Sequence, residues 1–187
     1  MKRLLILIVA CIVSACAFSS EAPLFSGREA ALPIRDGAQF AWIEGENRSE
    51  QRSLMFRREG RGYVVVPVGR GEDKPMHAMF VAIRGTREED YVVQTQFDDD
   101  AVAYAFLWRR GDGYRMIVNL GAFGDKTPDV AGLCEPKSYG ECAFTSREAI
   151  VRFYRAYVLP AFVRGGAAPA EYMELQPENE AARRGRR

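Results

Sequence analysis

A single histidine, His77, stands in the 187 residues, so histidine-rich metal sites are excluded and an imidazole base has one candidate. His77 follows Lys74-Pro75-Met76 at an expected strand entry, which is a surface or packing position. The chain has no Gly-x-Ser-x-Gly, no His-Glu-x-x-His and no phosphate-cradling glycine loop. Neither sign of charge is in excess: 26 Lys and Arg against 25 Asp and Glu leave a formal net charge of +1. A basic excess that would carry nucleic-acid binding is therefore missing. Nothing in the sequence calls for a cofactor or a metal. Asp98, Asp99 and Asp100 are consecutive, without the alternating spacing and bidentate Glu of a calcium loop, and read as a solvated turn. The one long apolar run, Leu4 to Ala10, falls short of the about 20 residues that span a bilayer.

That run is informative for its surroundings. Lys2 and Arg3 precede it and small residues follow, the layout of a secretory signal. Val13-Ser14-Ala15-Cys16 then gives a branched apolar residue, two small residues and a cysteine. This resembles the lipobox of bacterial lipoproteins, over about the first twenty residues only. The resemblance implies cleavage before Cys16, acyl chains on its sulfur, and a mature protein anchored to the cell envelope facing the periplasm. With Ala17 and not Asp after the cysteine, analogy with enterobacterial sorting implies the outer membrane. Two alternatives stand beside it: an ordinary cleaved signal with Cys16 incidental, and a second lipobox at Ile8-Val9-Ala10-Cys11, which would leave an apolar core at the lower limit of about 7 residues.

Removing residues 1–15 from 187 leaves 172, enough for one domain with a real core. Lys2 and Arg3 leave with the signal, taking the formal net charge from +1 to −1. A hydrophobic content of 48% with 27% charged residues marks the body as globular. Of the four cysteines, Cys11 leaves with the signal and Cys16 carries lipid, so Cys134 and Cys142 are natural partners for a disulfide in an exported chain. Their spacing is not that of a redox pair, and no histidine lies near for a metal.

Residues 16–36 read as a tether, with Pro23, Pro33 and apolar residues lacking periodicity. The body, 37–164, reads as mainly β with one helix (α+β): an antiparallel meander of about seven strands, forming a curved sheet or partly open barrel. The expected strands are Ala38 to Glu44, Ser53 to Arg58, Gly62 to Val68, Ala78 to Arg84, Asp90 to Phe97, Ala101 to Arg109 and Gly113 to Asn119. Glu59-Gly60-Arg61-Gly62 and Arg110-Gly111-Asp112-Gly113 supply tight hairpin turns. Phe56 to Tyr63 and Leu107 to Tyr114 echo one another at an offset of 51 residues, which fits either a duplicated unit or the common look of a hairpin ending in Gly-x-Gly-Tyr.

The strand Ala101 to Trp108 alternates Val102, Tyr104, Phe106 and Trp108 with Ala101, Ala103, Ala105 and Leu107, so both faces are apolar and the strand should be covered on both. The small-residue face is expected to receive a helix. Thr145-Ser146-Arg147-Glu148 has capping-box spacing, and Ile150, Phe153, Tyr154, Tyr157 and Val158 recur at helical intervals, predicting a helix over 146–159 that Pro160 ends or kinks near Leu159. Residues 165–187 read as a disordered tail.

Two function classes follow. One is a noncatalytic binding or structural module whose partner is an envelope protein or an apolar small molecule, with Trp42, Tyr91, Tyr104 and Trp108 as the candidate ligand or partner face. The lipocalin likeness is architectural only, because the Gly-x-Trp signature is absent. The other is a periplasmic hydrolase using carboxylates such as Glu44 and Asp90. A cavity filled by Phe and Tyr favours the first; a deep cavity with two carboxyls favours the second.

Overall fold

A computed structural model describes residues 18–44, 47–68, 74–83, 89–96, 102–126, 128–136, 141–170 and 172–177. The signal, Cys16, Asp98, Asp99, Asp100 and residues 178–187 lie outside these. In chain order the strands are β1 (Phe18–Ser20), β2 (Ala30–Ala31), β3 (Ala38–Glu44), β4 (Asn47–Glu59), β5 (Gly62–Val68), β6 (Met76–Ala82), β7 (Asp90–Gln96), β8 (Val102–Arg110), β9 (Gly113–Ile117), β10 (Glu135–Pro136), β11 (Cys142–Ala143) and β12 (Met173–Pro177). Eight of them form a closed antiparallel barrel in the order β8, β7, β6, β5, β4, β3, β12, β9 and back to β8. All seven strands expected from alternation are present. The eighth was expected to be tail.

Alternation decides what fills the barrel. Inward positions carry Phe40, Leu54, Phe56, Tyr63, Val65, Ala78, Phe80, Val93, Ala105, Leu107, Tyr114, Met116 and Leu175, a single buried cluster. Five of its rings, with the half-buried Tyr91, close a circuit round the lumen. Phe40 meets Phe56, Phe56 meets Tyr63, Tyr63 meets Phe80, Phe80 meets Tyr91, Tyr91 meets Tyr114, and Tyr114 returns to Phe40, with centroids 5.3 to 6.5 Å apart. Five of the six contacts are edge-to-face, an arrangement worth about 0.5–1.5 kcal/mol per pair beyond area burial. The circuit plugs this level of the barrel.

The two hairpins with echoing sequences, β4–β5 and β8–β9, sit four strands apart round the ring of eight, on opposite walls. Each turn has a glycine at its first central position, with φ of +57° at Gly60 and +60° at Gly111. Each sends a tyrosine, Tyr63 or Tyr114, into the aromatic circuit.

A second core lies outside the barrel wall. Val102, Tyr104, Phe106 and Trp108 of β8, with Val92 of β7, pack against Phe18, Phe144, Ile150, Phe153, Tyr154, Val158 and Phe162. Here the expected orientation is reversed: the helix covers the aromatic face of β8, and the Ala105/Leu107 face lines the lumen. The reason is volume. The lumen is already filled by rings from six other strands, leaving room on β8 for Ala105 and Leu107 but not for another row of rings, while one helix on an open flank accommodates them.

The helix, α1 (Arg147–Phe153), starts one residue later than expected. Ser146 is its N-cap and accepts from the Ala149 N–H at 3.2 Å, while Glu148 pairs with Arg147. Pro160 does not stop it. From Tyr154 to Arg164 the turn widens into a π-helix, and Gly165 N–H donates to the Pro160 carbonyl five residues back. The wider turn relieves the clash that a proline ring makes with the carbonyl four residues earlier.

Two segments assigned outside the body belong to it. Phe18, Phe25 and Ile34 are buried, so 18–34 is not a tether. β1 pairs with β8 where β9 has ended, Phe18 opposite Tyr104 and Phe106 opposite Ile117, and β11 adds on in parallel. Residues 173–177, expected to be disordered, form β12 and complete the ring between β3 and β9. A Cβ on Gly113 would lie 2.2 Å from the Leu175 carbonyl oxygen, so β9 begins with a glycine because β12 passes there.

Cys134 and Cys142 stand at disulfide distance, with Cα atoms 5.4 Å apart. The bridge joins the start of β11 to a buried loop carrying Val130 and Leu133. Closing so short a loop stabilises by roughly 2–3 kcal/mol in the chain-entropy picture.

Candidate functional site

The aromatic residues singled out from the sequence divide between the two cores. Trp42 and Tyr91 are half-buried and pack against the lumen cluster; Tyr104 and Trp108 lie in the outer core under the helix. Side-chain parity separates them. Trp108 sits opposite Asp90, and Tyr91, the next residue, opposite Leu107, so Tyr91 and Trp108 point to opposite sides of the wall. They do not form one face.

Each has a local task. Tyr104 Oη accepts from Leu24 N–H at 3.0 Å, lies 2.8 Å from Ser20 Oγ, and donates to Gln94 Oε1 at 3.3 Å. Gln94 in turn accepts from the Phe25 N–H and donates to the Phe25 carbonyl. This network fastens residues 20–25 to the barrel wall. Burial raises the Tyr104 phenol above its ordinary value, against the opposing effect of Ser20. Trp108 stacks on Phe162, centroids 6.2 Å apart and planes 8° from parallel. Tyr91 is raised by burial first and by neighbouring Tyr114 second.

The carboxylates proposed as a hydrolytic pair are not brought together. Glu44 ends β3, and Asp90 begins β7 four strands round the ring, on its helix-facing side. His77 is exposed, with Nδ1 3.8 Å from Glu59. Among the described residues no group of three His, Cys, Asp or Glu is placed to hold a metal.

Among the polar pairings that sequence reasoning missed is Asp90 with Tyr154. Asp90 is 6% exposed and Tyr154 fully buried. Burial first, and the Asp90 carboxylate second, push the Tyr154 phenol far above the usual range, so it stays protonated. Among the described residues its oxygen completes no hydrogen bond. The pair sits where the π-helical segment begins, and beside it Glu89 holds a φ of +131°, a strained value for a residue with a Cβ. A protonated phenol beside an enclosed carboxylate is neither nucleophile nor accessible base. It is a polar contact between helix and wall in which the desolvated hydroxyl completes no well-formed hydrogen bond. Tyr154→Phe is therefore expected to leave stability unchanged or raise it by about 1 kcal/mol. Chemical denaturation checks this; a loss of similar size would mean that the hydroxyl has a partner.

No signal in the sequence announces this pair, since Tyr154 reads as one more apolar residue of the helix stripe. No family model, no curated protein and no solved structure matches this chain.

Proposed function

We propose that the protein is an exported lipoprotein of the bacterial cell envelope, anchored by acyl chains on Cys16 and facing the periplasm, most consistent with the outer membrane. Its barrel is a noncatalytic binding or structural module. The observation that carries the anchor is Val13-Ser14-Ala15-Cys16 directly after the charged start and apolar run. The Cys134–Cys142 pair at bonding distance fits an oxidising compartment.

The noncatalytic reading is supported by the filled lumen: Phe40, Phe56, Tyr63, Phe80, Tyr91 and Tyr114 touch one another round the circuit, and the inward side chains form one buried cluster. The same packing argues that the barrel itself does not cross the bilayer. Membrane-spanning barrels keep an apolar outside around a polar interior. Here the interior is apolar, and Arg57, Glu59 and His77 face solvent. Attachment to a membrane then needs a separate anchor, which Cys16 supplies. An envelope protein binding the outer surface suits this body better than an apolar molecule in its lumen.

Detergent phase separation with intact mass tests the anchor. The wild-type protein is expected in the detergent phase, beginning at Cys16 and carrying acyl mass, and Cys16→Ser in the aqueous phase. Equal partitioning of the two would sink the proposal.

A further inference from the structure

Covalent geometry and the position of β1 together limit how far an anchored body can stand from the lipid. Phe18 is fully buried, its N–H donates to the Val118 carbonyl at 2.8 Å, and its backbone lies between Tyr104 of β8 and Cys142 of β11. Ala17 alone separates this fixed point from Cys16. Two residues reach about 7 Å at full extension, while the polar headgroup layer is about 6 Å deep on each side of the hydrocarbon. A protein acylated at Cys16 with β1 in place has no tether to hang from.

The helix covers this same flank, since the Phe153 ring packs on Phe18 with centroids 5.3 Å apart. On its outer side Arg152, Arg155 and Arg164 are exposed. From 147 to 164 the chain holds four arginines against one glutamate; Arg147 is engaged both by that glutamate, Glu148, and by Glu29, so it adds no net charge to the face that carries Arg152, Arg155 and Arg164. We propose that this arginine-bearing helix face rests on an anionic lipid headgroup surface, so that the body lies against the bilayer. The proposal rests on acylation at Cys16. The two contacts reinforce each other: a short anchor keeps the body close to the headgroups, where weak ionic contacts act at high effective concentration.

Neutron reflectometry of the purified, acylated full-length protein in supported bilayers tests it, with phosphatidylglycerol or phosphatidylcholine as the main lipid. In both, wild-type protein density is expected to begin within about 7 Å of the headgroups, the reach of the short anchor. A second protein carries a 20-residue Gly/Ser insertion between Ala17 and Phe18, whose coil spans about 25 Å. This one is expected to stay on the phosphatidylglycerol surface, to lift off phosphatidylcholine, and to lift off both when it also carries Arg152→Glu and Arg164→Glu. A hydrated gap of about 25 Å beneath the acylated wild type overturns the proposal and leaves the anchor standing. Equal lift-off of the inserted protein from both lipids overturns the role of the arginines without relying on any substitution. A mature chain beginning at Cys16 without acyl mass removes instead the lipoprotein reading beneath it.

Discussion

Ending the chain after Gly166 is expected to abolish cooperative unfolding, whereas ending it after Pro177 is expected to leave the melting temperature within about 2 °C of wild type, a shift corresponding to less than about 1 kcal/mol. The two truncations differ by residues 167–177, which carry β12. That strand pairs with β3 along all five of its residues and with β9 along three, and buries Leu175 against the lumen cluster. Without it, β3 and β9 become open edges with unpaired backbone groups, and the interior is exposed along one wall. Such edges template association between chains. The net stability of a domain is only about 5–15 kcal/mol, and losing a barrel stave removes interactions on that scale. Gly113→Ala gives the same test without shortening the chain. Its Cβ meets the Leu175 carbonyl, part of a backbone held on both sides, so a loss of about 1–3 kcal/mol is expected from overpacking. Differential scanning calorimetry distinguishes the cases. A sharp transition after truncation at Gly166, or no effect of Gly113→Ala, would mean that the barrel does not depend on β12.

The contrast between these truncations also locates what the sequence could and could not reveal. Period-two alternation over seven or more residues identifies β3, β5 and β8 nearly to the residue, because burying one side of a strand imposes that pattern. β12 offers only Met173 and Leu175 among polar residues, after a Gly, Ala and Pro-rich stretch and before Pro177 and further charges. Five residues paired on one side, three of them on both, hold their shape through hydrogen bonds made by partners far away in sequence, and composition does not record those. β1 is shorter still, with one apolar side chain. Alternation likewise says which residues share a face and not where that face points: the Tyr104/Trp108 side of β8 could be assigned to a ligand only while the lumen was unknown. The Cys134–Cys142 pairing was legible by elimination. The Asp90–Tyr154 contact was not, since it joins a strand start to the middle of a helix and involves a tyrosine whose spacing is that of an ordinary core residue.

Phe18→Ala is expected to destabilise the protein by about 3–5 kcal/mol, the range for truncating a fully buried phenylalanine, and to lower the melting temperature by about 10 °C at the 2–4 °C per kcal/mol usual for a chain of this size. The ring contacts Phe106, Phe144 and Phe153 at centroid distances of 5.0, 5.8 and 5.3 Å, in the middle of the outer core. Its removal leaves a cavity walled by aromatic rings from β8, the helix and the segment before it, and rigid rings collapse poorly into a void. The backbone gives no alternative seat, because Phe18 N–H and Ser19 carbonyl are bonded to Val118 and Phe144. A residue in a flexible tether behaves otherwise: substituting it changes stability by no more than about 0.5 kcal/mol. The measurement therefore separates a body that begins at Phe18 from one that begins near Gly37. Should Phe18→Ala melt with wild type, β1 is not held in the sheet, and the anchor proposed at Cys16 would have a leash of some twenty residues, leaving the body free to work away from a membrane surface.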